Sequence, residues 1–201
     1  MSDAGKPGSF ALNGPTEELS MYKMSRTWLA IAVAICVAVS SSAASAKTIK
    51  VYALGASNTN GKGVGRDEAW PAQLEQMLRA RGYDATVTVN AVNGDTSAGV
   101  LSRASSIPAG TQVVVFDTGG DNDRLRGGSE GDINANKSRI VSAIRAHGAV
   151  PIQAGYKNII GPQRSGGAGY QEDGIHLTAR SHARVASYLL PKVIAAAKGG
   201  R

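Results

Sequence analysis

The sequence predicts an α/β fold, a three-layer α/β/α sandwich around a parallel sheet of four to five strands. Two observations carry this expectation. Short apolar runs alternate with amphipathic helical stretches, which implies parallel strands joined by crossovers. Polar, glycine-bearing turns recur after successive strands: at Ser57, at Gly94 and at Asp121 to Asp123. In open α/β sheets such carboxyl ends are where ligands sit.

The first strand is Ile49 to Leu54, rich in β-branched and aromatic residues. It breaks at Gly55 and puts Ser57 just behind it. The loop that follows, Asn58 to Gly65, comes near two phosphate-binding patterns and fits neither. Gly55 to Gly61-Lys62 is one residue too long for a P-loop, and Gly63 stands where a hydroxyl residue is needed. Gly61, Gly63 and Gly65 lack the dinucleotide spacing.

Ala69 to Arg81 reads as a helix, with Pro71 in its first turn, a Leu74, Met77, Leu78 stripe and Gly82 beyond its end. Ala85 to Val89 alternates Val and Thr as a second strand. Asn93-Gly94-Asp95-Thr96 breaks it, and Thr96 or Asp95 caps a short helix through Leu101. Gln112 to Phe116 is a third strand. Ile133 to His147 reads as an amphipathic helix with Ile140, Val141 and Ile144 on one face. Ala149 to Gln153 is a fourth strand, and Tyr156 to Glu172 reads as irregular. The last helix runs from about Thr178 to Ala197, with Val185, Leu189 and Val193 facing inward.

The amino-terminal segment has a different character. Lys23 and Arg26 precede an apolar stretch, Trp28 to Val39, that is short for a membrane span. Ala44-Ser45-Ala46 fits a small-x-small cleavage site. Residues 1–46 are therefore expected to be an extension and signal peptide, with one domain over 47–201, a periplasmic or secreted location and no stable membrane span after cleavage. The single cysteine, Cys36, falls inside the signal. The remainder then has no thiol for disulfides, nucleophilic attack or thiolate metal sites. The formal charge of +7 is spread along a chain poor in aromatics, so no nucleic-acid partner is expected.

A serine hydroxyl is a poor nucleophile at neutral pH. It needs a base, the base needs an orienting acid, and the developing oxyanion needs fixed donors. Of the three histidines, His147 ends a helix, and His182, between Arg180 and Arg184, reads as a surface residue. His176 lies in a loop with Asp173 three residues before it, within reach of a ring nitrogen.

Together these segments resemble the SGNH, or GDSL-type, hydrolase family over nearly all of residues 47–201. Gly55-Ala56-Ser57 matches the first block and Asn93-Gly94-Asp95-Thr96-Ser97 the second. Gly120-Asp121-Asn122-Asp123 fits the third and Asp173-Gly174-Ile175-His176 the last. The resemblance implies a flavodoxin-like sheet and a serine esterase without cofactor or metal. It implies Ser57 as nucleophile, His176 as base and Asp173 as its orienter. The implied oxyanion donors are the Ser57 and Gly94 amides and the Asn122 side chain. Trp70-Pro71 and Gly-Asp-Thr-Ser are similar to the bacterial exported acyl-thioesterase, lysophospholipase and arylesterase branch.

Three departures stand out. Ala56 replaces the usual Asp, one extra residue separates the third strand from Asn122, and the interval from Asp123 to Asp173 is short. The last of these leaves little room for a fifth strand. The expected reaction is cleavage of short acyl esters or thioesters, on a small-molecule or glycan substrate. A carbohydrate O-deacetylase on the same triad and a catalytically weak binding protein are the alternatives. Asp121 and Asp123 lack the further ligands of an EF-hand loop.

Overall fold

The computed structural model describes residues 46–165 and 167–199. The expected signal segment lies outside the described residues. The described residues form one compact unit.

Four strands build one parallel sheet: β1 (Thr48–Gly55), β2 (Asp84–Ala91), β3 (Val113–Phe116) and β4 (Val150–Gln153). Their order is β2-β1-β3-β4. All three pairings are parallel, with Val51 opposite both Val87 and Val113. The expectation of four to five strands resolves to four among the described residues. The chain builds outward from β1 to β2, then returns across β1 to β3. The crevice between β1 and β3 is therefore the switch point at which such sheets open a ligand site.

The helices are α1 (Ser57–Asn60), α2 (Trp70–Arg79), α3 (Ser97–Arg103), α4 (Gly120–Leu125), α5 (Glu130–Ala146), α6 (Tyr156–Ile160) and α7 (Ala179–Gly199). Strand periodicity divides the core into two layers. Ile49, Val51, Val113 and Val115 pack with Trp70, Leu74 and Leu78 of α2 and Val185 and Leu189 of α7. Tyr52, Leu54, Val114 and Phe116 pack on the other face with Val100 of α3 and Ile140 and Ile144 of α5. Both faces of β3 are covered, which is why its sequence is a continuous apolar run.

Local signals explain most element ends. Thr96 caps α3 by accepting from the Gly99 N–H. Ser129 caps α5 through the Asp132 N–H, so this helix starts a turn earlier than the apolar pattern at Ile133 indicates. Three short helices were not expected: α1, α4 and α6. The last of these corrects the irregular reading of the segment after Gln153. Each is too short to show an apolar stripe. His182 is also corrected. It is 0% exposed, because its side of α7 faces α2 rather than solvent.

Candidate active site

The turn after β1 is built for close approach. A Cβ on Gly55 would lie 2.2 Å from Thr59 Oγ1, so the chain can fold straight into α1 only without a side chain there. Ser57 opens this one-turn helix and is 6% exposed. Its N–H is among those that a helix start leaves without an intrahelical partner.

The segment from Asp173 to Leu177 lies against this turn. Ser57 Oγ is 2.9 Å from His176 Nε2, and His176 Nδ1 is 2.5 Å from Asp173 Oδ2. A proton on Nδ1 points at the carboxylate and leaves Nε2 to accept from the serine hydroxyl. The other Asp173 oxygen accepts from the Ile175 and His176 N–H groups, at 2.9 Å each. Desolvation raises the Asp173 pKa, but the His176 ring and these two N–H groups outweigh it and hold the carboxyl down to about 2. The acid is therefore ionised at neutral pH. Ser57, His176 and Asp173, far apart in the chain, are thus brought into one hydrogen-bonded line.

Asn58 makes that meeting possible. Its side chain donates to the Ile175 carbonyl at 3.2 Å and accepts from the Leu177 N–H at 2.9 Å. It grips the backbone on both sides of His176. Nothing in the sequence spacing marks this asparagine apart from its place beside Ser57.

Asn122, at the carboxyl end of β3 on α4, lines the same small cavity as Ser57, together with Asp117, Tyr156 and Ile175. Its Nδ2 donates to the Asp95 carbonyl at 2.8 Å. An amide nitrogen carries two N–H bonds, so one remains for a ligand. Gly119 adopts a left-handed φ of 70°, and a Cβ there would lie 2.6 Å from the Asp95 carbonyl oxygen. This glycine lets the β3 turn approach the β2 turn closely. Asp121 lines this cavity too, but its carboxylate is engaged by Lys157 at 2.7 Å and Arg124 at 2.8 Å.

Gly94 sits at the end of β2 with φ 78°, and its carbonyl accepts from Arg126 at 2.9 Å. It is not among the residues that line the cavity at Ser57. Its turn reaches α1 through Asn60 and Asn93, whose side chains meet at 3.0 Å. Arg103 braces the strand ends from below. It donates to the Gly55 carbonyl at 2.9 Å, to the Asn90 carbonyl at 2.6 Å and to Asp95. Among the described residues no three His, Cys, Asp or Glu side chains converge on a cation position.

A polar cavity of about 210 Å³ shares Asp117, Asp121 and Tyr156 with the Ser57 cavity and is lined further by Gln153, Lys157 and Gln163 among others. A second, of about 250 Å³, puts Leu125 and Ile175 beside Arg124 and Lys157.

A serine, a histidine and a carboxylate in this line, at the switch point of a parallel α/β sheet, define the class to which the chain is assigned. The GDSL-like Lipase/Acylhydrolase family matches residues 53–189, and the chain belongs to that family. It is 35% identical over 98 residues to "Esterase TesA" of Pseudomonas aeruginosa, covering 48% of each chain. It is 33% identical over 101 residues to "Arylesterase" of Vibrio mimicus, covering 50% of each. The chain spans about half the length of these curated relatives in the matched region. The solved structure of TesA superposes with a TM-score of 0.63 at 23% identity, over 73% of this chain and 99% of that one. That likeness is one of fold.

Proposed function

We propose that this protein is a serine hydrolase that cleaves acyl esters or thioesters through an acyl-enzyme, with Ser57 as nucleophile, His176 as base and Asp173 as its orienter. The observation that carries the reading is the Ser57–His176–Asp173 line, with 2.9 Å and 2.5 Å between successive groups. Ser57 Oγ attacks the acyl carbon while its proton passes to His176 Nε2. The C–O or C–S bond then breaks, and the leaving group takes the proton from the imidazolium. Water repeats the sequence in reverse and frees the acid. The Ser57 and Gly94 amides and the Asn122 side chain are the proposed oxyanion donors.

The acyl group is short in this proposal. The space beside Ser57 is ringed by polar groups, and among the described residues Tyr156, Ile175 and Leu125 are the only large apolar side chains lining these three cavities. Each buried CH₂ contributes about 0.8 kcal/mol only where a wall exists to bury it. We further propose that the chain is exported and that 47–201 is the mature domain. The reasons are the basic start, the apolar Trp28 to Val39 and the Ala44-Ser45-Ala46 site.

The test uses the purified 47–201 protein with p-nitrophenyl esters from acetate to dodecanoate. The expected kcat/KM peaks at two to about six carbons. A steady rise toward twelve carbons overturns the short-acyl assignment. A phosphonate ester probe should add one covalent mass to the Ser57 peptide, and labelling elsewhere overturns the nucleophile.

A further inference from the structure

Asp117 is an acid that the proposed reaction does not use, yet it lies at the centre of the site. It is the first residue after β3, where β3 runs beside β1. Its N–H donates to the Leu54 carbonyl at 2.9 Å, and a Cβ on Gly55 would come within 3.0 Å of its own Cβ. It lines both the cavity at Ser57 and the polar cavity next to it. Its Oδ1 accepts from the Gly119 N–H at 3.3 Å, and the Ala56 N–H stabilises the same carboxylate. Ala56 precedes the nucleophile. Gly119 opens the turn that carries Asn122. The nucleophile turn, Gly55-Ala56-Ser57, has no carboxylate of its own.

We propose that Asp117 is a positioning residue: its ionised carboxylate ties the turn that carries Ser57 to the turn that carries Asn122, and so sets the distance between nucleophile and oxyanion donor. This rests on the hydrolase reading above. A charged acceptor holds N–H groups more firmly than a neutral one, so the tie tightens when the acid ionises.

Burial pushes the carboxyl up to about 6, and Asp121 on α4 adds to the rise. The Gly119 and Ala56 N–H groups and Lys157 on α6 oppose it. Arg124 on α4 and the Tyr156 hydroxyl on α6 line the same cavity. Asn58, from α1, brings no charge to it.

The experiment measures kcat and KM as a function of pH for wild type, Asp117→Asn and Asp117→Glu. Rates are normalised to folded protein by circular dichroism. Protonating Asp117 should mimic Asp117→Asn, so the wild type should lose its advantage over that variant on acidification through about pH 6. Asp117→Asn should lose fivefold or more in kcat at pH 8 and keep KM within threefold, and the ratio of wild-type to variant kcat should shrink toward one as pH falls. Asp117→Glu keeps the charge but displaces it, so its kcat should fall while its ratio to Asp117→Asn still changes with pH. A kcat for Asp117→Asn less than fivefold below wild type at pH 8, or a wild-type to Asp117→Asn ratio that does not change with pH, overturns the proposal. If Ser57→Ala stays active, the hydrolase reading falls first. If Ser57→Ala is inactive and Asp117→Asn behaves as wild type, only the role of Asp117 falls.

Discussion

His176 and His182 are both buried, 8% and 0% exposed, on neighbouring stretches of chain. Their surroundings differ in one respect, the partners of the ring. His176 has Asp173 on Nδ1 and Ser57 on Nε2. His182 has the Trp70 N–H donating to Nδ1 at 3.2 Å, while Nε2 meets no partner among the described residues. Desolvation holds the His182 pKa down to about 4, against a small opposing pull from Glu68. A buried imidazole beside a carboxylate can accept a proton and keep it; one without a carboxylate stays neutral and acts as a hydrogen-bonding core residue. Burial alone does not mark a base.

Four measurements test this contrast, the largest effect first. His176→Ala should lower kcat/KM by on the order of 10³-fold or more, with the melting temperature nearly unchanged, because the triad acts as a unit. Retention of more than a tenth of wild-type activity would break the assignment. Asp173→Asn should be at least tenfold less damaging than His176→Ala, since an imidazole without its orienting acid still accepts protons. Equal losses would mean that the acid does more than orient.

His182→Ala should do the reverse. It leaves the Trp70 N–H without an acceptor and opens a cavity between α2 and α7, at a cost of about 2 to 4 kcal/mol. Activity per folded molecule should stay close to wild type. Denaturant unfolding and normalised rates together decide it: a large loss of specific activity in folded protein would give His182 a role in the site.

The smallest effect is a pH dependence of stability. The folded-state pKa of His182 lies below the ordinary 6.5, so the unfolded chain takes the proton first. Its contribution is complete above about pH 6.5 and is lost as pH falls toward 4. The loss should reach roughly 2 kcal/mol at pH 5. His182→Asn, which cannot titrate, should show a flatter acid limb in urea unfolding. An unchanged limb would place the acid sensitivity elsewhere.

Much of the site was legible because its chemistry is local. Gly55-Ala56-Ser57 stands directly behind an apolar strand, and Asp173 precedes His176 by the spacing of a single turn, so backbone geometry alone brings carboxylate and ring together. The four strands were equally legible, since a continuous apolar run such as Val113 to Phe116 is the pattern of a strand covered on both faces, as in a parallel sheet. The one-turn helices α1, α4 and α6 were not, because a helix that short shows no apolar period.

Residue type and chain-local spacing were determined by the sequence by itself: strands, long helices, a serine behind β1 and an Asp-His pair before α7. Only the tertiary structure decided which groups share an environment. The β2-β1-β3-β4 order laid β3 beside β1, and so set Asp117 against the turn that carries Ser57. The packing of α7 on α2 took His182 out of water, although Arg180 and Arg184 flank it in the chain. Asn58 could be seen to grip the His176 loop only once the two segments had met. Desolvation and long-range hydrogen bonds depend on what lies across the fold, and a linear pattern carries no record of that.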